Sequence, residues 1–164
     1  MPNFFTDNTD IKLNLERLDL KVLADIVEGD YTKAKEHDFA PSDCEEAAQN
    51  YLDILEVVGD ICAGPIFERS RQIDEEGHIC ENGDVTMNPL VLEDLNDFKK
   101  MNLMGISLPY EYGGLNMPQT IKIAIIEMVS RADASLMTLV GLQDIAETIE
   151  DFGTNEQKAR YIPP

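Results

Sequence analysis

The chain has 164 residues, enough for one domain with a real core, and 43% of them are apolar. A net charge of −19, from 32 acidic and 13 basic residues, excludes nucleic acid and an anionic membrane surface as partners, because both need a Lys/Arg patch. No apolar run approaches the roughly 18 residues that cross a bilayer, and the start Met-Pro-Asn-Phe-Phe-Thr-Asp lacks the basic region of a signal peptide. Cys44, Cys62 and Cys80 are odd in number and have no close pair. They read as free thiols in a reducing compartment, so a cytoplasmic location is expected.

Leu20, Leu23, Ala24 and Val27 recur at i, i+3, i+4 and i+7 and predict a helix over 19–28, stopped by Gly29. Tyr31 to Phe39 follows, with a break at Ala40-Pro41. Ser42-x-x-Glu45 reads as a capping box. Ala48, Tyr51, Leu52, Leu55, Val58 and Cys62 then keep helical spacing until Gly64-Pro65. Helix can resume from Ile66 to Arg71. Residues 72–88 are the least regular, and Asn82-Gly83 is a tight-turn pair. Asn88-Pro89 opens a third helix, with Asn as cap and Pro at the first position. Leu92, Leu95, Phe98 and Met101 are its expected buried side.

Leu103 to Gly114 reads as a structured turn whose two adjacent glycines allow positive φ. Pro118 opens a fourth helix that ends near Arg131. Its stripe is Ile121, Ile125 and Met128, and Ile123, Ala124 and Ile126 make it apolar almost all round, as in the centre of a bundle. Ser135 to Phe152 reads as one fifth helix closed by Gly153, uncharged from Ala134 to Gln143 and acidic beyond. Thr154-x-x-Gln157 caps a short last helix, stopped by Pro163-Pro164. No strand-period segment of useful length appears. The expected fold class is all-α, an up-and-down bundle of about six helices.

Little in the chain announces chemistry. Counted as a calcium loop from Asp74, the 74–84 segment puts His78 at position 5, Ile79 where glycine is required and Val85 where the bidentate glutamate belongs. It reads as a solvated connection. His78 and Cys80 lack two further zinc ligands at short spacing, so no metal is expected. No phosphate-loop pattern occurs. Cys62 lies on an apolar stripe and reads as core. Glu127 stands in an apolar helix and is expected to pair with Arg131 one turn on.

Three motifs in fixed order carry a family resemblance: the turn Leu103-Met-Gly-Ile-Ser-Leu-Pro-Tyr-Glu-Tyr-Gly-Gly114, the helix start Asp133-Ala-Ser135, and Phe152-Gly-x-x-Glu-Gln-Lys158 with Tyr161. Over roughly residues 40–164 the chain resembles the N-terminal helical domain of acyl-CoA dehydrogenases. Residues 1–38 resemble the short N-terminal extension of the longer bacterial members, leaving 39–164 as the helical domain. In that family a glutamate removes the α-proton of an acyl-CoA thioester and a hydride passes from Cβ to FAD. An electron-transferring flavoprotein then takes the electrons. The flavin contacts and that base lie downstream of the part resembled here, so the resemblance assigns no catalytic and no cofactor-binding residue to this chain. It implies an acyl-CoA substrate, FAD held by the intact enzyme rather than by these residues alone, and a homo-oligomer.

The resemblance also implies that the helix beginning at Ser135 forms one wall of the acyl-tail cavity. Leu136, Met137, Val140 and Gly141 fall on one helix face and supply the dry, uncharged wall an apolar tail requires. Two other classes stay open at this point. One is a non-catalytic helical scaffold or assembly module. The other is a flavin oxidase or monooxygenase on the same fold, because fold does not fix chemistry.

Overall fold

A computed structural model describes residues 2–162. Among these it has nine α-helices: α1 (Thr9–Glu16), α2 (Leu20–Glu28), α3 (Cys44–Ile61), α4 (Phe67–Glu76), α5 (Pro89–Lys100), α6 (Gln119–Ala132), α7 (Ala134–Gly141), α8 (Asp144–Phe152) and α9 (Asn155–Tyr161). The class is all-α, as the periodicity predicts. The helix count exceeds six for three local reasons. α1 carries too weak an apolar stripe to be read from spacing, and Asn8 caps it by accepting from the amides of Asp10 and Ile11. The predicted fifth helix breaks at Leu142-Gln143 into α7 and α8. α3 runs into α4 through a wide turn at Cys62–Ile66, where Gly64 leaves helical geometry (φ −100°, ψ −108°) and Pro65 has no amide to donate. The proposed stop at Pro163-Pro164 lies outside the described residues.

The irregular 72–88 segment holds a small antiparallel hairpin, β1 (Ile79–Glu81) with β2 (Asp84–Thr86), in the register Cys80↔Val85. Asn82 and Gly83 turn it, both at positive φ, the geometry a two-residue hairpin loop requires. All six strand residues are exposed, so no alternating apolar face marked them in the sequence.

Caps behave largely as predicted. Asn88 accepts from the Leu90 amide ahead of Pro89, and Thr154 and Gln157 form a reciprocal capping box. At α3 the cap is one residue later than Ser42: Asp43 accepts from the Glu46 amide, and Glu46 reaches back to Ser42.

α3 and α6 cross the core, packed through Tyr51, Leu55, Val58, Ile121, Ile125 and Met128. α6 is not apolar all round: Ile123 and Glu127 face solvent while Lys122 is buried. The expected Glu127–Arg131 pair is absent, and the Arg131 guanidinium instead stacks 4.1 Å over the Phe4 ring. Phe4 and Phe5 reach the core because Asn3 docks the N-terminal segment on α3. Its amide nitrogen donates to the Glu56 carbonyl (2.9 Å) and to Asp60 (2.7 Å), and the Phe4 amide donates to the Gly59 carbonyl (3.1 Å).

α5 corrects a predicted face. Phe98 is buried and Leu95 half-buried against the core as expected, but Leu92 and Met101 are exposed, and Val91 and Asp94 are buried in their place. The rotation follows from Asp94, which is fully buried and accepts from Arg69 Nε at 2.7 Å; the same guanidinium reaches Asp97 at 2.5 Å. Asp94 Oδ2 has no partner, and burial pushes the carboxyl up to about 6 against the pull of Arg69. Arg69→Met strands this carboxylate and is expected to cost about 3–5 kcal/mol in urea unfolding, whereas Arg69→Met with Asp94→Leu recovers most of the loss. Equal losses in the single and double variants would show that α5 owes its orientation to apolar packing alone.

Candidate functional site

The site is built where α7 leaves α6. Asp133 ends α6 in an extended conformation and caps α7: its Oδ1 accepts from the amides of Ser135 (2.7 Å) and Leu136 (3.1 Å) and from the Ser135 hydroxyl (2.6 Å). This sets the phase of α7. Leu136 is 1% exposed and Val140 7%, both in the core, while Met137 and Gly141 are half-buried at its edge. The four predicted wall residues therefore form an arc. Leu136 and Val140 anchor the helix, Met137 and Gly141 lie at its margin, and a side chain at Gly141 would meet open space.

The Leu103–Gly114 turn reaches the end of α7, where Leu103, Gly105 and Ile106 line a small cavity with Val140 and Gln143. The turn is closed by its own backbone, with Leu108 N–H on the Gly105 carbonyl (2.9 Å) and Met117 N–H on the Ile106 carbonyl (2.9 Å). Gly113 takes positive φ. Gly114 serves a different need, because a Cβ there would lie 2.0 Å from the Leu108 carbonyl oxygen. The Gly105 amide donates to the Gln143 side chain, whose nitrogen approaches Met104 Sδ at 3.4 Å. Between turn and helix junction lies a groove of about 710 Å³ lined by Met104, Gly105, Leu108, Tyr112, Gln143 and Ala146. Leu136, Met137 and Gly141 line neither the small cavity nor this groove.

Lys122 locks the arrangement. From α6 it donates to Asp144 and Glu147 of α8, and Glu147 also accepts from Ser107 of the turn and from Gln119 (2.9 Å). Burial alone would lower the Lys122 ammonium, but its bonds to the two carboxylates outweigh that and hold its pKa above the ordinary lysine value. Burial likewise opposes the Glu147 charge, and the bonds from Lys122 and Ser107 bring its pKa below the ordinary glutamate value. Lys122, Gln143 and Glu147 belong to no motif in the sequence. The available signal was a single cation, Lys122, between the stripe residues Ile121 and Ile125.

The starts of α2, α3, α6 and α7 do not suit the pyrophosphate of FAD. At α2, α3 and α7 the free amides are held by Asp19, Asp43 and Asp133, so a phosphate would meet a carboxylate where it needs an N–H. α6 has no side-chain cap, but Lys122 in its first turn already carries two carboxylates. These residues do not by themselves fit a flavin. Among the described residues no helix is long and apolar enough to cross a membrane, and no group of three His, Cys, Asp or Glu is gathered as metal ligands.

Residues 49–164 of this all-α chain match the family model of the acyl-CoA dehydrogenase N-terminal domain. The chain belongs to that family. It is 30% identical over 127 residues to the probable acyl-CoA dehydrogenase FadE10 of Mycobacterium tuberculosis, covering 75% of this chain and 17% of that protein. It is 31% identical over 126 residues to 3-methylmercaptopropionyl-CoA dehydrogenase of Ruegeria pomeroyi, covering 71% of this chain and 21% of that protein. To mitochondrial isovaleryl-CoA dehydrogenase of Solanum tuberosum it is 39% identical over 80 residues, 43% of this chain and 18% of the other. The chain thus spans about a fifth of the length of the curated relatives it matches.

The Lys122 network has a defined pH window. Because Glu147 titrates below 4.5 when folded, its contribution is present above that value and lost as pH falls through the folded pKa. Because Lys122 titrates above 10.5 when folded, its contribution is lost only as pH rises through that higher pKa. Lys122→Met is therefore expected to cost about 1–3 kcal/mol at pH 7. The gap from wild type should close as pH falls below 4.5. Thermal melts of both proteins across pH check this, and a gap that stays constant into acid would remove the ion pairs as its cause.

Proposed function

We propose that this chain serves an FAD-dependent acyl-CoA dehydrogenase, with residues 39–164 as its helical domain, residues 1–38 as an extension, and α7 as one wall of the acyl-tail cavity. The observation that carries this reading is the arc on α7. It is uncharged and held rigidly by Asp133 at one end and Gln143 at the other, and it presents Met137 and Gly141 at its margin. An apolar tail needs such a surface, and ordered walls position Cα and Cβ for reaction. FAD, held by residues outside those described, would supply the hydride-accepting chemistry and an electron-transferring flavoprotein would be the electron acceptor; the residues of this chain would act on the tail. The relative named for 3-methylmercaptopropionyl-CoA supports a short, weakly polar tail as substrate class.

An assembly role is the second reading, favoured by α8. Ile145 and Phe152 (84% exposed) share one face of that helix, an apolar strip that a homo-oligomer or further domains would cover.

Two measurements test the proposal. Titrated with FAD, the 164-residue chain is expected to give no stoichiometric yellow complex; low-micromolar binding would place flavin contacts within it. In the full-length enzyme, Met137→Arg is expected to lower turnover of an apolar acyl-CoA, because an unpaired guanidinium is costly in a dry cavity. The same change should raise relative kcat/KM for a dicarboxylic acyl-CoA, which pairs with the new charge. A tenfold change in the ratio corresponds to about 1.4 kcal/mol. Glu150→Arg on α8 is the control. An unchanged ratio in a well-folded Met137→Arg enzyme would make this arc ordinary core.

A further inference from the structure

A second cleft shares no lining residue with α7. It lies where α2, the 38–41 segment, α3 and the 110–117 segment meet, with a volume of about 350 Å³. Glu28, Asp38, Glu46 and Asp53 line it, and its lining contains no lysine or arginine. Glu46 and Asp53 each have an oxygen occupied by a neighbour, Ser42 and Gln49 respectively. Glu28 lies deeper. Its Oε1 accepts from the Tyr110 hydroxyl (2.8 Å) and from Asn116 (3.3 Å), and no hydrogen bond from the protein reaches Oε2. Glu28 is also the last residue of α2, where the helix carbonyl ends already concentrate negative potential and no basic residue offsets it. Burial pushes its carboxyl above the ordinary glutamate value, further than the bonds from Tyr110 and Asn116 pull it down.

The independent observation is Tyr51. This residue lines the cleft and is 2% exposed, and its hydroxyl is buried without a hydrogen-bond partner. A buried hydroxyl left unpaired is destabilising. Burial, followed by the charge of Glu28, pushes this phenol up to about 12, and both residues line the cleft. Phe39 and Tyr110 meet edge to face at 5.7 Å and supply ring surface along the lining. An unpaired buried acceptor, aromatic surface and several carboxylates in one lining make up the chemistry that recognises an alkylammonium ion. Several carboxylates favour a ligand with more than one ammonium group. The overall charge of −19 raises the local concentration of such cations.

We propose that this cleft binds an aliphatic diamine or polyamine, one ammonium between Glu28 and the Tyr51 hydroxyl and the next at Asp38 and Asp53. Methylenes between the two ammonium groups lie along Phe39 and Tyr110.

Spermidine titrated calorimetrically into the 164-residue chain at about 150 mM salt tests this, since at that ionic strength exposed charges beyond about 8 Å are largely screened. One saturable site is expected. Glu28→Gln and Tyr51→Phe should each weaken it at least tenfold, and Glu127→Gln, an exposed change of equal charge, should leave it unaltered. Without spermidine, Tyr51→Phe should melt no lower than wild type, because it removes a hydroxyl that has no partner. The proposal fails if binding does not saturate, or if Glu28→Gln and Glu127→Gln behave alike, since a diffuse counterion effect would do both. It also fails if Tyr51→Phe alone lowers the melting temperature, which would mean that the hydroxyl is already satisfied inside the protein.

Discussion

Lys122 enters the interior from α6 and meets two carboxylates of α8, and that burial decides where α7 can lie. α7 leaves α6 through one extended residue, Asp133, and returns to α8 through Leu142 and Gln143. With α8 tied to Lys122 at one end and α7 capped by Asp133 at the other, the intervening helix has little freedom to rotate. Ser107 adds the Leu103–Gly114 turn to the same charges through Glu147. The margin bearing Met137 and Gly141 is thus set by polar groups at both ends of an uncharged helix. The proposed cavity wall would need this kind of support, because a loosely held wall cannot position a substrate.

Buried charge recurs in this molecule, with different outcomes. Lys122 and Glu147 answer one another, and each titrates so as to favour the ionised form. At Asp94 the balance tips the other way: Arg69 satisfies one oxygen, the other is left over, and desolvation wins. The Tyr51 hydroxyl is a neutral case of the same imbalance. Polar groups tie α4 to α5, and α6 to α8 and the turn, while α3 and α6 are joined by apolar packing. The surface carries the remaining negative charge and keeps apolar residues such as Ile26, Ile145 and Phe152 within a strongly anionic field.

Much of the architecture could be read along the chain, because helices announce themselves through local chemistry. Gly29, Asn88-Pro89, Thr154 with Gln157 and the Leu103–Gly114 turn act through hydrogen bonds and φ angles within a few residues, so their identities suffice. The order of three such motifs also carried the family resemblance. The face of a helix is another matter. On α5, Phe98 fits the period with Leu92 and Met101 as well as with Val91, and only Arg69, distant in sequence, turns Asp94 and Val91 inward.

The same division runs through the candidate sites. Sequence alone determined that a helix starts at Asp133-Ala-Ser135, is uncharged in its first half and carries Leu136, Met137, Val140 and Gly141 on one face, because these are properties of one short segment. Tertiary structure decided that Leu136 and Val140 anchor while Met137 and Gly141 sit at the margin, that the predicted long helix breaks at Leu142-Gln143, and that Lys122 is buried. It also brought Glu28, Tyr51 and Tyr110 together from three separate segments. The reason is physical. Capping and turn energies act over one helical turn, whereas desolvation and charge pairing depend on groups that only the folded chain makes neighbours.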